Sequence, residues 1–404
     1  MSMRFGKGIR VVMNQQARVG EIIEVSIDRV AFGGSGVGRV GPMVIFVPFT
    51  AAGDVVEARI VTVKKNYLTG EIVRIISASH DRAEPVCPYF SLCGGCQYQH
   101  LSYEVQLKTK ERQVTESFER IGKIASPPVE TIIPSPIPFG YRGKAEFHGV
   151  PAPGGGIQMG FMDTRGGGLV DVSRCDIVDE SINTEYAKLR EKLSSEKIPS
   201  GRRRYILWSG SPYPPRKYIT RQVGEKELIV SSSGFFQGNI SLTETLVLRV
   251  IEMLGLKESD MVLDACCGCG LFSLFIAPRV REVLGIEING AAVRYAVRNI
   301  ENHDITNARF QKGDVERTLD RLAGEGTRMD AVLIDPPRIG CTEKTLSAID
   351  RLQPGRIVYV SCNPATQARD VRRLMDRGFR LEALQPIDMF PQTQHIEVIA
   401  SLVR

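Results

Sequence analysis

The second half of the chain alternates between strand-like and helical stretches from about residue 234 onward. Short apolar segments rich in valine, isoleucine and leucine recur there, and helical patterns separate most of them. The candidate strands are MVLDAC, EVLGIE, ARFQK, DAVLID, RIVYVS, RLEALQP and HIEVIASLV. This alternation predicts an α/β fold in which helices cover both faces of a mostly parallel, doubly wound sheet.

The first part of the chain has a different pattern of residue types. Between about Ala17 and Ser79, alternating β-branched residues are interrupted by glycines, and the charged residues are mostly basic. This pattern predicts a small N-terminal β-barrel. Barrels of this type often bind RNA, but the same pattern is equally typical of a solvated barrel surface.

A length of 404 residues exceeds one ordinary core, so we expect several domains. We predict a barrel at residues 14–79, a middle domain at 80–234 and the α/β domain at 235–404. The middle region is rich in glycine and proline, which indicates irregular α+β structure. Its helical stretch at 101–125 is expected to pack on the α/β domain.

Composition limits the classes of partner. No apolar run reaches membrane-spanning length, and the basic N-terminus lacks the apolar segment of a signal peptide. We therefore expect a cytoplasmic protein that has no membrane partner and acts as a monomer. The net charge of +6 permits a nucleic-acid partner without requiring one.

Nine cysteines in a reducing compartment argue against disulfides. Three of them, Cys87, Cys93 and Cys96, lie within ten residues in the segment CPYFSLCGGC. Metal ligation, catalysis and packing are the alternatives. A redox function of CGGC is the weaker hypothesis, because no thioredoxin-like βαβ unit surrounds it.

The segment VLDACCGCGLFSL is typical of a strand, a glycine turn and a helix start. Gly268 and Gly270 allow a tight turn and close approach of a ligand. The third glycine of a dinucleotide motif is missing, which favours S-adenosylmethionine over a pyrophosphate cofactor. We expect Cys266, Cys267 and Cys269 to bind no metal, because adjacent residues at a strand end point to opposite faces.

Acidic residues follow three successive predicted strands. Glu287 is placed to accept the hydroxyls of a ribose, and Asp314 to meet the amino group of an adenine. Asp335 ends the next strand in LIDPPRIG. Each acid alone is also typical of a helix N-cap or a solvated loop, but together they predict one pocket at the carboxyl edge of the sheet.

The segment VYVSCNP places Cys362 just beyond the fifth strand, at the edge where such sheets bind substrates. Cys362 is therefore a candidate nucleophile, although an inert buried thiol is the alternative. Glu397 lies near the start of the last strand. If that strand runs antiparallel, its start lies at the same edge, beside Cys362.

A thiol, a carboxylate base and a methyl donor suit methylation of carbon 5 of uracil. Addition of a thiolate to carbon 6 makes carbon 5 nucleophilic, and a base then removes the carbon 5 proton. Such a base accelerates the reaction by roughly 10²–10⁴-fold. We expect the surroundings of Cys362 to lower the pKa of its thiol, because the thiolate is the reactive form.

Four segments, SCNPAT, DPPRIG, GFFQGN and DMFPQTQHIE, together resemble the RNA uracil-5-methyltransferases. The resemblance covers nearly the whole chain. It implies a Rossmann-like class I methyltransferase domain and an OB-like RNA-binding TRAM domain at the N-terminus. Amino-directed methyltransferases carry an aromatic residue after DPP, whereas this chain has Arg338.

The resemblance also implies roles for individual residues. Cys362 would be the nucleophile, Glu397 the base, and Phe235 would help to hold a flipped uracil. The cofactor-binding residues would be Gln237, Cys266, Gly268, Glu287, Asp314 and Asp335.

Cys87, Cys93, Cys96 and Cys175 fit the iron–sulfur pattern of the ribosomal-RNA branch of this family. Four thiolates suffice for a 4Fe–4S cluster, and zinc would accept the same set. We expect the cluster to be structural and to tie the loop after the barrel to the middle domain.

The expected partner is RNA with a uracil in a loop or a single strand, where moving the base out of its stack costs the least free energy. The barrel and the cysteine cluster favour 23S ribosomal RNA as the substrate, and transfer RNA is the alternative. Arg142, Lys144 and Arg202 to Arg204 are candidate phosphate contacts. A non-catalytic iron–sulfur RNA-binding protein is a further alternative, against which the presence of Cys362 and Glu397 argues.

Overall fold

The computed structural model describes residues 17–153, 155–196 and 200–404. It divides into two compact units. One contains the described part of Met1–Glu84 together with His100–Ser102, and the other contains Pro85–Gln99 and Tyr103–Arg404. Residues 14–16 of the predicted barrel domain lie outside the described residues, and the boundary predicted at residue 234 stays a prediction.

The first unit contains a closed barrel of five strands within its described residues. The strands are β1 (Ile22–Val30), β2 (Ser35–Val40), β3 (Met43–Pro48), β4 (Val55–Val63) and β5 (Tyr67–Ser77). They are ordered β1-β2-β3-β5-β4, and antiparallel pairing of β1 with β4 closes the barrel. Alternate side chains such as Val25, Ile27 and Ile60 fill the interior, as the period of two predicts.

The second unit begins with a helix, a small antiparallel sheet and a hairpin. The elements are α1 (Tyr103–Arg120), β6 (Lys144–Pro151), β7 (Ile157–Met162), β8 (Leu169–Asp171), α2 (Glu180–Ser194), β9 (Arg203–Trp208), β10 (Tyr218–Val223) and β11 (Lys226–Ser231). The sheet has the order β8-β7-β6-β9, and β10 pairs only with β11 in the described chain. Helix α2 covers this sheet, where the rings of Tyr186 and Phe147 stack with centroids 4.0 Å apart.

The rest of the second unit is the predicted α/β fold. Its elements are α3 (Thr243–Leu254), β12 (Met261–Ala265), α4 (Leu271–Ile276), β13 (Glu282–Glu287), α5 (Gly290–Glu301), β14 (Ala308–Lys312), α6 (Val315–Gly324), β15 (Ala331–Ile334), α7 (Glu343–Arg351), β16 (Arg356–Ser361), α8 (Pro364–Met375), β17 (Arg380–Ile387) and β18 (Glu397–Val403). A short 3₁₀ helix, Ala277–Arg279, follows α4. All the strands predicted for this region are present.

Among the described residues, seven strands form one sheet in the order β14-β13-β12-β15-β16-β18-β17. The first five run parallel, whereas β18 is antiparallel to both β16 and β17. The sheet is buried on both faces. Val114 and Phe118 of α1 belong to the core of one face, so α1 packs against this sheet.

The helices that follow the parallel strands begin at the carboxyl edge of the sheet. Side chains cap the first turns of α5, α6, α7 and α8, where orphan N–H groups need acceptors. The caps are Asn289, Asp314, Thr342 and Asn363. These loops therefore have fixed geometry at the edge where the sequence predicts the site. No helix in the described ranges has the length and apolar character needed to span a membrane.

Candidate active site

Cys362 and Glu397 come together because of the register between β16 and β18. Ser361 at the end of β16 pairs with Val398, and β18 begins one residue earlier, at Glu397. Since the two strands are antiparallel, the next position of the ladder aligns Cys362 with Glu397. Cys362 is half-buried and Glu397 is 5% exposed. The antiparallel last strand, a condition of the sequence prediction, is present.

Burial raises the pKa of Glu397 well above its ordinary value, and the carboxyl of Asp335 raises the pKa further. The guanidinium of Arg338 acts in the opposite direction. A carboxyl group in this environment holds its proton at higher pH than a solvated glutamic acid, because desolvation and a like charge both disfavour the anion.

Burial also raises the pKa of the Cys362 thiol, and the charge of Glu397 adds to this shift. Arg338 lowers the pKa through its charge and a hydrogen bond to the thiol. The sequence predicts a lowered pKa for this thiol, and that prediction is wrong for the protein without substrate. Desolvation and the neighbouring carboxylate outweigh the effect of one exposed arginine.

Arg338 is a candidate functional residue for which the sequence predicted no role in the site. Its Nη2 lies 3.3 Å from Nδ1 and 3.2 Å from Nε2 of His395. Its carbonyl accepts hydrogen bonds from Asn363 Nδ2 and Thr366 Oγ1, both at 3.1 Å. Burial, followed by the charge of Arg338, lowers the pKa of His395 to about 4. An arginine directly after a strand-end DPP, on the same edge as Cys362, was the available signal.

The glycine turn after β12 is hydrogen-bonded to the side chain of Glu287. Glu287 Oε2 accepts a hydrogen bond from Gly268 N at 3.0 Å, and Oε1 accepts one from Asn289 N at 2.7 Å. Gly268 and Gly270 have φ values of 55° and 80°, in the left-handed region. A Cβ on Gly270 would lie 3.2 Å from the Ala296 Cβ. The tight turn that the sequence predicts is therefore present, with a fixed carboxylate beside it.

Asp264 on β12 and Asp335 directly after the neighbouring β15 form an acidic cluster beside this turn. Burial raises the pKa of Asp335 to about 7, and the charge of Asp264 contributes. Burial raises the pKa of Asp264 to about 6, although Ser273 Oγ donates a hydrogen bond to it at 2.5 Å. Burial also raises the pKa of the Cys266 thiol, followed by the charges of Asp335 and other neighbours. Clustered carboxyl groups of this kind favour a positively charged ligand.

Asp314 is the N-cap of α6 and is exposed. Its Oδ1 accepts a hydrogen bond from Arg317 N at 3.0 Å. Asp314 therefore acts as a helix N-cap, which was one of the two alternatives for this residue. A role toward adenine stays a prediction. Cys267 and Cys269 are buried at the turn, in keeping with packing residues.

The loop between β11 and α3 carries the predicted Phe235 and Gln237. Phe235 is 76% exposed and Gln237 is 7% exposed. Gly143 N donates to Gly238 O at 2.9 Å, and Lys144 Nζ donates to Gly234 O at 2.5 Å. Lys144 thus anchors this loop, and its role as a phosphate contact stays a prediction. Its ammonium also lies over the ring of Trp208.

Comparison with known proteins agrees with this geometry. Residues 216–404 match the model of the tRNA (Uracil-5-)-methyltransferase family, and residues 16–73 match the TRAM domain. An uncharacterized RNA methyltransferase of Halalkalibacterium halodurans is 33% identical, covering 96% of this chain and 98% of its own length. The chain belongs to the RNA uracil-5-methyltransferase family. Its reaction is therefore the S-adenosylmethionine-dependent methylation of carbon 5 of uracil in RNA.

Two further relatives have named substrates. The tRNA (uracil(54)-C(5))-methyltransferase of Schizosaccharomyces pombe is 34% identical, covering 95% of this chain and 78% of the relative. The crystal structure of Pyrococcus abyssi tRNA (uracil-54, C5)-methyltransferase in complex with S-adenosyl-L-homocysteine is 26% identical, with a TM-score of 0.72. It covers 94% of this chain and 100% of its own chain. The predicted family, TRAM domain and enzyme class are confirmed.

The four predicted metal ligands line one cavity of about 50 Å³. They are Cys87, Cys93, Cys96 and Cys175. Burial, with smaller contributions from the charges of the other three thiols, raises the pKa of Cys96 to about 12. In the described part of the chain, however, no three His, Cys, Asp or Glu side chains are placed to hold a metal ion. Four sulfur donors around one cavity are chemically suited to a soft metal or an iron–sulfur cluster.

Two of these cysteines have fixed backbones. Cys87 N donates to Gln99 Oε1 at 3.0 Å, and Cys175 N donates to Asn183 Oδ1 at the same distance. Cys175 lies between β8 and α2, whereas Cys87 lies in the segment before α1. The fold therefore brings two separate parts of the chain together at this cavity, and a cluster that ties them stays a prediction.

Proposed function

We propose that this enzyme methylates its uridine through covalent catalysis by Cys362 and Glu397. The observation that carries the proposal is the β16–β18 register, which aligns the two residues with each other, near enough to Asp335 for its charge to act on both. S-adenosylmethionine, when bound, supplies an electrophilic methyl group. All other steps are assigned to side chains of this chain.

Cys362 Sγ bonds to carbon 6 of the uracil as a thiolate, and the electron pair of the 5,6 double bond makes carbon 5 nucleophilic. After carbon 5 has accepted the methyl group, Glu397 takes its remaining proton. The electrons of that C–H bond restore the 5,6 double bond, and Sγ leaves as a thiolate. Protonated Glu397 then returns its proton to solvent.

Arg338 stabilises the anionic forms of both groups in this proposal. It lowers the pKa of Cys362 and that of Glu397, against the larger effect of burial. A thiol with a raised pKa needs such a partner to reach its reactive form. His395 beside Arg338 is neutral near pH 7, so its ring adds no positive charge next to the guanidinium.

The acidic cluster and the adjacent glycine turn are proposed to hold the cofactor. Each oxygen of Glu287 is fixed by one backbone N–H and keeps a lone pair for a ribose hydroxyl. Asp335 and Asp264 would attract the positive charges of S-adenosylmethionine, and Gly268 and Cys266 in the turn after β12 would also contact it. Gln237 and Asp314 complete the proposed cofactor contacts. No described side chain hydrogen-bonds to the Gln237 amide, which leaves it available to a ligand.

The proposed substrate is a uridine in a loop or single strand of RNA, with exposed Phe235 as a stacking surface for the flipped base. The four-cysteine cavity and the barrel support 23S ribosomal RNA. The similarity to transfer-RNA enzymes supports transfer RNA equally. We therefore propose both classes of RNA for the test below.

We also propose that Cys87, Cys93, Cys96 and Cys175 hold a 4Fe–4S cluster with a structural function. The cavity that all four line supports this assignment, as does the preference of thiolates for iron–sulfur clusters. No step of methyl transfer requires it.

The decisive experiment combines target mapping with one substitution. In a strain lacking this gene, 5-methyluridine is mapped in ribosomal and transfer RNA, and the missing nucleotide identifies the target. The native chain is expected to restore it, and Cys362→Ala is expected to restore none. Restoration by Cys362→Ala would refute the nucleophile, and an unchanged 5-methyluridine map would refute the proposed reaction.

A further inference from the structure

The segment 388–396, here called the catalytic loop, connects β17 to β18 and ends beside Glu397. Lys110 Nζ donates to Asp388 Oδ1 at 2.6 Å and to Phe390 O at 2.9 Å. Tyr141 Oη donates to Pro391 O at 3.0 Å. Groups from outside the α/β sheet therefore hold the first half of this loop.

Gln392 in the middle of the loop has a left-handed backbone, with φ of 67°, and is 2% exposed. Its carbonyl accepts from Gln97 N at 3.0 Å and from Tyr98 N at 2.9 Å. Gln106 completes the contact, with Oε1 accepting from Gln392 N and Nε2 donating to Gln392 Oε1, both at 2.9 Å. A strained backbone of this kind persists only where surrounding contacts determine it.

The side chain of Gln97 connects this loop to the cysteine cavity. Its Nε2 donates to Gly94 O at 2.8 Å, in the turn between Cys93 and Cys96. Its Oε1 accepts from Gln394 N at 3.1 Å, next to His395. One amide group thus spans both loops. The same residue also supports Gln392 through its backbone N–H.

We propose that Gln97 is a positioning residue, which couples the turn between Cys93 and Cys96 to the catalytic loop and so fixes Glu397. The inference rests on the proposed function of Glu397 as base. Proton removal from carbon 5 requires hydrogen-bond reach between the base and its proton. A loop that loses the Gln97 contacts samples more conformations, and the base spends less time within that reach.

Two variants separate the two halves of this bridge. Gln97→Ala removes both side-chain hydrogen bonds. Gln97→Glu keeps an oxygen for Gln394 N–H but has no N–H for Gly94 O. The matched control is Gln222→Ala. In the native chain the side-chain amide of Gln222 also donates to one backbone carbonyl, that of Gly224, at 2.8 Å. All variants are made in the full chain, with whatever group its cysteines hold.

The first measurement is amide hydrogen exchange of peptides covering 93–98 and 388–397. In Gln97→Ala we expect exchange in both peptides to be roughly threefold to tenfold faster, the effect of losing one hydrogen bond in each. In Gln97→Glu we expect faster exchange at 93–98 and near-native exchange at 388–397. Gln222→Ala should match the native chain in both.

The second measurement separates positioning from general stability. We expect the kcat of Gln97→Ala for uracil methylation to fall roughly threefold to tenfold, with an unchanged KM for S-adenosylmethionine. Gln97→Glu should recover most of the kcat, because it keeps the contact to Gln394.

Unchanged exchange at 388–397 in Gln97→Ala would overturn the inference, and so would faster exchange with native kcat. An equal change in kcat and in KM for the cofactor would also overturn it, since it would indicate a general loss of structure. If the native chain methylates no uracil, the proposed function fails, and the exchange data alone decide whether Gln97 couples the two loops.

Discussion

Lys110 and Asp388 form an ion pair in which both side chains are fully buried, with 2.6 Å between Nζ and Oδ1. Lys110 lies on α1, and Asp388 directly follows β17. Burial lowers the pKa of Lys110, and Asp388 opposes that shift. The pair fixes the start of the loop that leads to Glu397, so its charges are expected to matter for stability and for the site.

Replacing one member of this pair leaves the other charge buried. We expect Lys110→Met to destabilise the chain by about 3–5 kcal/mol, and Lys110→Met with Asp388→Leu to recover much of that loss. Differential scanning calorimetry would measure both. Lys108→Met removes an exposed ion pair with Glu104 on the same helix and should change little. A double variant no more stable than Lys110→Met would contradict this explanation.

The role of Glu397 as base predicts a trapped intermediate. In Glu397→Gln the thiol can still add to carbon 6 and methyl transfer can still occur, but the carbon 5 proton stays. Turnover is expected to fall by roughly 10²–10⁴-fold, and an RNA–protein complex should accumulate on denaturing gels.

The trapped complex should disappear when Cys362→Ala is added to Glu397→Gln. Glu382→Gln on β17, whose carboxylate pairs with Arg356, serves as the matched control and should turn over normally. Normal turnover by Glu397→Gln would assign proton removal to another group.

Arg338 lowers the pKa of Cys362, so its removal should raise that pKa further. We expect the pH profile of Cys362 alkylation by iodoacetamide, followed by mass spectrometry of its peptide, to shift to higher pH in Arg338→Met. Arg338→Lys should shift less, because the charge is kept. Exposed Arg328, before β15 at the opposite edge of the sheet, provides the control Arg328→Met. An unshifted profile in Arg338→Met would exclude this role.

The raised pKa values of the acidic cluster predict pH-dependent cofactor binding. Asp335, with a pKa of about 7, and Asp264, at about 6, are largely protonated in the free protein at pH 5. A cationic ligand favours the carboxylate forms, so binding releases protons. The affinity for S-adenosylmethionine should therefore rise with pH between about 5 and 8 and then level off.

S-adenosylhomocysteine, which lacks the sulfonium charge, should show a weaker pH dependence in the same calorimetric titration. Asp335→Asn should flatten the profile for S-adenosylmethionine. Equal profiles for the two ligands would show that these carboxyl groups do not sense the sulfonium.

The cysteine cavity predicts a definite metal content. Chain purified without oxygen should contain about four iron and four sulfide per molecule, as a 4Fe–4S cluster requires. Cys175→Ser should lose most of this iron, and Cys269→Ala, at the buried turn, should keep it. One zinc per chain, with no iron, would instead assign the cavity to a structural zinc site.

The sequence alone predicted the α/β sheet correctly because strand and helix periodicities are local properties. EVLGIE, ARFQK and RIVYVS coincide with β13, β14 and β16 residue for residue. The residue types at the strand ends also led to the predicted site residues, whose roles stay predictions. Glu287 and Cys362 lie at the carboxyl edge because that edge follows from strand direction alone.

The sequence could not predict the pKa of Cys362. That value depends on burial and on Glu397 and Arg338, which come from separate loops. The buried partners Lys110 and Asp388 are 278 positions apart, and no periodicity connects them. Gln97 and Gln392 likewise lie far apart along the chain.

The sequence by itself determined the secondary structure, the barrel and the chemical groups available to the site, since these depend on side-chain type and short-range order. Only the tertiary structure decided that β18 inserts antiparallel between β16 and β17, which brings Glu397 to Cys362. The physical reason is that desolvation and electrostatic fields depend on distance in space, and chain separation does not fix that distance.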